Sequence, residues 1–194
     1  MEQVAVINFS GRCEGNCHGI AEFIKNALTV SYEINVKEMH SMNITPCGKC
    51  GYECFINNAG CPHENDDILD IYNTICSSDL AFYIVPNYVE YPNANYFIFR
   101  ERGACFFLNK PIALQEKYGS IDLGEIYRRV KKKFIVVSNT GKENFKRAFK
   151  SHIDDNMDVD ILFLAAIDYD KSAILGDLMD SPQARIDIEN FIKE

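Results

Sequence analysis

Several things are missing from this chain, and each absence narrows its function. No apolar run approaches the roughly 20 residues that a membrane-spanning helix requires. No low-complexity segment or internal repeat appears, which excludes a disordered chain or a repeat array. An excess of basic residues is also lacking: 20 Lys and Arg face 28 Asp and Glu, for a net charge of −8. Nucleic acid is therefore not the expected partner, because phosphate backbones demand clustered cations. The one basic run, Arg128-Arg129-Val130-Lys131-Lys132-Lys133, falls where a helix should end and reads as a solvated helix terminus. The opening MEQVAVINFS lacks a basic stretch followed by an apolar export core. A soluble, cytoplasmic protein with no membrane contact is the expectation.

What is present starts with cysteine. Four of the eight cysteines lie in CGKCGYECFINNAGC, residues 47–61, spaced CX2CX3CX6C. In a long chain with no export signal, such a cluster points to metal or redox use rather than a disulfide framework. Cys47, Cys50, Cys54 and Cys61 suit a thiolate-bound iron–sulfur cluster, a zinc ion or a metal-free redox pair. His63 is a stand-in ligand or a solvated loop residue. Cys76 and Cys105 read as core cysteines, and Cys13 and Cys17 as small packing residues.

The hydrophobic pattern alternates strands with helices. Val4–Phe9 is a β-branched run expected to be covered on both faces. Ile20, Phe23, Ile24, Ala27 and Leu28 give the next segment one helical stripe. Tyr32–Met39 alternates as a half-exposed edge strand. Asn65 or Asp66 caps a helix whose stripe is Ile68, Ile71, Tyr72, Ile75 and Cys76. Leu80–Val85 is the central strand, ending at Pro86-Asn87. Aromatic residues between Asn93 and Phe107 predict a helix packed on the sheet or a second subunit. Further elements are a short strand at Pro111–Leu114, a helix at Leu123–Val130, a strand at Phe134–Val137, a helix near Phe145–His152 and a fifth strand at Val159–Ala166. Ser181-Pro182 opens a terminal helix through Phe191. The pattern predicts a three-layer α/β domain over residues 1–194, with a doubly wound five-stranded parallel sheet, a cysteine-rich loop at 40–66 and an insertion at 105–130.

In such a sheet, ligands sit beyond the carboxyl ends of the strands. Ser10–His18 joins a strand to a helix N-terminus and offers Ser10, Arg12 and Asn16, with Cys17 and His18, to a phosphate. It matches neither GxGxxG nor the Walker pattern, which favours a terminal monophosphate. Pro86, Asn87, Tyr88, Val89, Tyr91 and Asn93 follow the central strand, and the two tyrosines are placed to cover a flat heteroaromatic ring or to seal the core. Asn139, Thr140 and Gly141 form the third loop.

In its ordered set of loops, the chain resembles the NADPH-dependent FMN reductase family, and within it the iron–sulfur flavoprotein branch. Ser10-Gly11-Arg12 ending in Asn16-Cys17 is similar to the family's phosphate loop. Cys61 leading to Asp66-Asp67 and a helix, and Val85-Pro86-Asn87-Tyr88, match its other two landmarks. The branch spaces its first three cysteines CX2CX2C, one residue shorter than here. The resemblance implies a flavodoxin-like fold, FMN at the three loops, NAD(P)H as donor and homodimers or homotetramers completing the flavin site. It also implies a [4Fe–4S] cluster on Cys47, Cys50, Cys54 and Cys61, relaying electrons to a small-molecule or protein acceptor. No residue is assigned as a catalytic acid or nucleophile. The competing readings are a flavin, quinone or nitro-compound reductase whose cysteines hold zinc or nothing, and a non-catalytic flavodoxin-like binding module.

Overall fold

Val4, Ala5, Val6 and Ile7 are fully buried, as a β-branched run covered on both faces requires. They belong to β1 (Gln3–Asn8), which pairs in parallel with β2 (Glu33–Glu38) on one side and β3 (Leu80–Tyr88) on the other. The computed structural model describes residues 1–48, 50–51, 53–56, 61–63, 65–88, 90–104, 106–107, 122–138, 143, 149 and 159–194. The predicted strand at 111–114, all of the helix at 145–152 but Phe149, and most of the 105–130 insertion lie outside these residues.

Beyond β3 the sheet continues through β5 (Lys131–Ser138) to β6 (Val159–Ala165), all parallel. The order β2-β1-β3-β5-β6 is the flavodoxin-like one, with strand order reversing between β1 and β3. Helices α1 (Asn16–Leu28) and α6 (Pro182–Lys193) cover one face, where Ile20, Ile24, Ile188 and Phe191 pack on Val4, Val6, Phe82 and Ile84. On the opposite face, α3 (Ile68–Cys76), α4 (Ala94–Ala104) and α5 (Leu123–Arg129) meet Ala5, Ile7, Tyr83 and Val85. A one-turn helix, α2 (Glu53–Ile56), lies in the cysteine loop. Among the described residues, no helix is long and apolar enough to cross a membrane.

The predicted aromatic helix does pack on the sheet. Tyr72 stacks on Phe99 at 4.6 Å and on Phe106 at 5.1 Å, while Phe9 meets Tyr83, Tyr96 and Phe99 edge-on. Such pairs add directional attraction to the apolar burial. The Tyr72 hydroxyl donates to the Phe99 carbonyl at 2.8 Å, so this buried phenol is satisfied.

Three sequence expectations need correction. The central strand does not stop at Pro86-Asn87. It runs to Tyr88 and turns back through Glu90 (φ 68°) into the two-residue strand β4 (Tyr91–Pro92). Proline is tolerated there because β1 pairs no further than Ile84, so the missing N–H breaks no ladder on that side. The cap position of α3 is Asp67 rather than Asn65 or Asp66, although an Asp66 carboxylate oxygen does accept from the Ile68 amide at 3.2 Å.

The third correction concerns the basic run. Arg128 and Arg129 end α5, but the three lysines open β5, and Lys132 and Lys133 are each only 1% exposed. Their stems lie in the core and their ammonium groups reach carbonyls at helix C-termini, which carry partial negative charge. Lys132 donates to the Tyr127 and Val130 carbonyls and sits 4.3 Å above the Tyr127 ring. Lys133 donates to the Phe191 carbonyl at 2.6 Å. Burial pulls the Lys132 ammonium down from 10.5 to about 8, partly opposed by Cys76. Between these values the unfolded chain holds the extra proton, so stability rises with pH across that window. Relative to Lys132→Met, the wild type should therefore gain stability between pH 8 and 10. Urea unfolding at both ends checks this, and a constant gap contradicts it.

Candidate functional site

At the carboxyl edges of β1 and β3, where strand order reverses, a cavity of about 320 Å³ opens. Its first wall is the loop from Ser10 to Cys17. Asn8 accepts from the Ser10 amide at 2.9 Å and the Ser10 hydroxyl accepts from the Arg12 amide at 3.1 Å, so the start of the loop is braced by its own side chains. Gly15 then caps α1 with φ 124°, a value that glycine adopts freely and a side chain does not. No side chain caps this helix and its first turn carries no acidic residue. Its orphan N–H groups and the positive end of its dipole are thus left at the cavity, in the manner of an anion site.

The second wall is β3's end. Asn87 donates to the Ser138 hydroxyl at 2.8 Å, while its side-chain oxygen is buried with no partner among the described residues. Tyr88 stands at the rim, 53% exposed.

The third wall went unnoticed in the sequence. Residues 172–178 form a strap laid across the Ser10–Cys17 loop, and Ala173 and Ile174 line the cavity. Arg12 donates to the Ile174 carbonyl at 3.0 Å. Asn16 donates to the Ser172 carbonyl at 3.2 Å and accepts from the Leu178 amide at 2.9 Å. Gly176 (φ 79°) packs so closely that a Cβ on it would lie 2.8 Å from the Gly15 Cα. The signal was there: Ser172, Gly176 and Asp177 are turn formers flanking three apolar residues, too few for a strand.

Of the residues singled out from sequence, Ser10, Arg12, Asn16, Cys17, Pro86, Asn87 and Tyr88 line this cavity. Burial, then Glu38, pushes the Cys17 thiol up to about 12, so it stays protonated and packs. His18 faces away and pairs with Glu38 at 3.1 Å. Tyr91, on β4, is exposed and does not line the cavity. Asn93 is buried beneath the site, where it donates to the Phe9 carbonyl at 2.5 Å and its own amide donates to the Pro86 carbonyl. Val89, Asn139, Thr140 and Gly141 lie outside the described residues.

The cysteine loop is closed at its neck. Asp66 accepts from the Thr45 amide at 2.9 Å and Asp67 from the Asn43 amide at 2.6 Å, while the Cys47 amide donates to Glu101 at 2.8 Å. Arg102, on α4, is buried against Asp66 at 2.6 Å. Cys54 and Cys61 are buried, and Cys47 and Cys50 half-buried. Burial raises the Cys54 thiol, and the Cys61, Cys47 and Cys50 sulfurs raise it further, so the four share one electrostatic neighbourhood. Among the described residues, no three His, Cys, Asp or Glu side chains already converge on a point that would hold a metal.

The two implied groups therefore fit differently. The uncapped helix, the glycine cradle and the orphan Asn87 oxygen suit a phosphorylated ring compound. The thiol set has the softness that zinc or an iron–sulfur cluster prefers, but ligation requires the sulfurs to draw closer.

No family model matches the sequence. No curated protein matches it either. Solved structures do share the fold. An NAD(P)H:quinone oxidoreductase from Methanothermobacter marburgensis superposes with a TM-score of 0.62 at 14% identity, covering 97% of this chain and 98% of its own. RosB, solved with 8-demethyl-8-formylriboflavin-5'-phosphate bound, gives 0.65 at 9% identity over 100% of this chain and 77% of its own. The Trp repressor binding protein from Bacillus subtilis gives 0.60 at 14% identity over 99% and 98%.

The strap contact is testable through stability. Gly176→Ala forces a Cβ onto the Gly15 backbone and should cost about 1–3 kcal/mol. Gly11→Ala, whose Cβ would meet only Asn95 at an ordinary 3.7 Å, should be nearly neutral. Denaturant unfolding of both variants decides it, and equal stabilities would show that the strap is not held there.

Proposed function

We propose that this chain is a flavin-dependent oxidoreductase that holds FMN in the cavity between β1 and β3. One observation carries the reading: the N-terminus of α1, with neither a capping side chain nor a first-turn carboxylate, lies at the strand-order reversal of a flavodoxin-like sheet. A terminal phosphate supplies the charge that this end lacks. Arg12 adds a guanidinium beside it, and the Asn87 oxygen is left to accept from a ring N–H. Asn16, whose amide is committed to the strap, shapes the cradle rather than touching the phosphate. The flavoenzymes and quinone reductases among the structural neighbours support the same reading through their fold.

A bound flavin would supply the chemistry, two-electron transfer between NAD(P)H and an acceptor. The chain binds, orients and shields, and Tyr88 at the rim offers a face for a ring or for a second subunit. The cysteine loop, in the same proposal, holds a [4Fe–4S] cluster or zinc on Cys47, Cys50, Cys54 and Cys61. It is joined to the flavin cavity by α4, whose Glu101 and Arg102 grip the loop and whose Asn95 donates to the Phe9 carbonyl at 3.0 Å. Asn95 and Glu101 are six positions apart on the helix, about 9 Å along the axis.

The visible spectrum of anaerobically purified protein, with iron and zinc quantified on the same sample, tests both parts. Flavin bands with an iron-dependent shoulder support the two-centre enzyme. Flavin bands with zinc or no metal support a simple reductase. Colourless protein that takes up no added FMN sinks the flavin reading and favours a binding module. Arg12→Ala should weaken FMN binding by about 10- to 100-fold, the loss of a charged hydrogen bond, as read by fluorescence quenching. Unchanged affinity removes Arg12 from the site.

A further inference from the structure

Arg102 has a role that the proposed flavin chemistry does not require. It is 1% exposed, yet its guanidinium reaches four parts of the cysteine loop at once. One terminal nitrogen donates to the Thr45 carbonyl and to Asp66 at 2.6 Å. The other donates to the His63 carbonyl at 3.1 Å, to the second Asp66 oxygen at 3.3 Å and to the Cys61 sulfur at 3.7 Å. Thr45 precedes the first cysteine by two residues and His63 follows the last by two, so one planar fork spans both ends of the loop.

A buried ion pair is a weak source of net stability, since desolvation offsets most of the attraction. An arginine fork contributes something else here, which is fixed geometry. Closing the neck brings Cys47 and Cys61, 14 positions apart in sequence, to one side of the protein before any ligand arrives. The N–H directed at Cys61 also withdraws electron density from that sulfur.

We propose that Arg102 is the positioning residue of the cysteine loop, closing its neck and hydrogen-bonding the Cys61 sulfur so that the four thiols have only to draw together around a metal. This rests on the reading of the loop as a metal or cluster site. Outer partners of metal ligands typically change affinity 10- to 100-fold.

The probe is Co²⁺, titrated into full-length, metal-free, reduced protein under anaerobic conditions, and followed by the sulfur-to-cobalt charge-transfer band. Wild type should bind with that band. Arg102→Met should bind at least tenfold more weakly, with the band moved to longer wavelength because the sulfur has lost its hydrogen bond. Arg102→Lys keeps the charge but not the fork, and should fall between them in affinity. Far-UV circular dichroism identifies any variant that has not folded. If Arg102→Met is unfolded, Arg102→Lys decides alone: reduced affinity supports the proposal, and wild-type affinity with an unshifted band overturns it. A folded Arg102→Met with wild-type affinity and band also overturns it. A wild type that gives no charge-transfer band removes the metal reading itself, and this proposal with it.

Discussion

The architecture depends on the parallel pairing of Val4–Asn8 with Leu80–Ile84. Because β1 also pairs with β2, it is enclosed on all sides, and its connection must leave at the carboxyl edge of the sheet. There β2 lies to one side and β3 to the other, so the loop after β1 and the end of β3 diverge and leave a crevice. The crevice is thus a consequence of strand order. What the individual residues decide is how its walls are lined.

The Phe9 carbonyl is the joint of that lining. It accepts from both Asn93 and Asn95, just before the chain enters the Ser10–Cys17 loop. These two amides fix the start of the loop to the start of α4, and the far end of α4 fixes the neck of the cysteine loop. Neither region is an independent appendage, because both are held by one 11-residue helix that packs on the sheet through Phe99 and Tyr96. The aromatic cluster beneath it gives that helix a rigid seat.

The strands could be read in the sequence because apolar runs of four to six residues, bounded by turn formers, have few other uses, whereas the flavodoxin-like order followed only from the family resemblance. The same holds for Ser181-Pro182 at the start of α6, where local chemistry alone sets the boundary. Lys132 and Lys133 were misread because charge is a poor guide to burial when a long stem can carry the ammonium to a helix C-terminus. The 172–178 strap was missed for a different reason: its turn formers mark a loop, but they do not say that this loop touches residues more than 150 positions earlier. Asn16 shows the same limit. Its amide looked free for a ligand, yet it is spent on Ser172 and Leu178. Arg102 carried no sequence signal, since Arg100-Glu101-Arg102 on a helix resembles any solvated charged run.

The bond between the Asn16 side chain and the Leu178 amide spans 162 residues. In a chain made from its N-terminus, the cradle loop and β1 leave the ribosome well before the strap. At roughly 5–20 residues per second, synthesis leaves the cavity without its third wall for about 8–30 s. During that interval the glycine cradle has no backbone lying across it and the Asn16 amide is uncommitted. Completion of the cavity is thereby set late, by the emergence of the strap rather than of the loop it crosses.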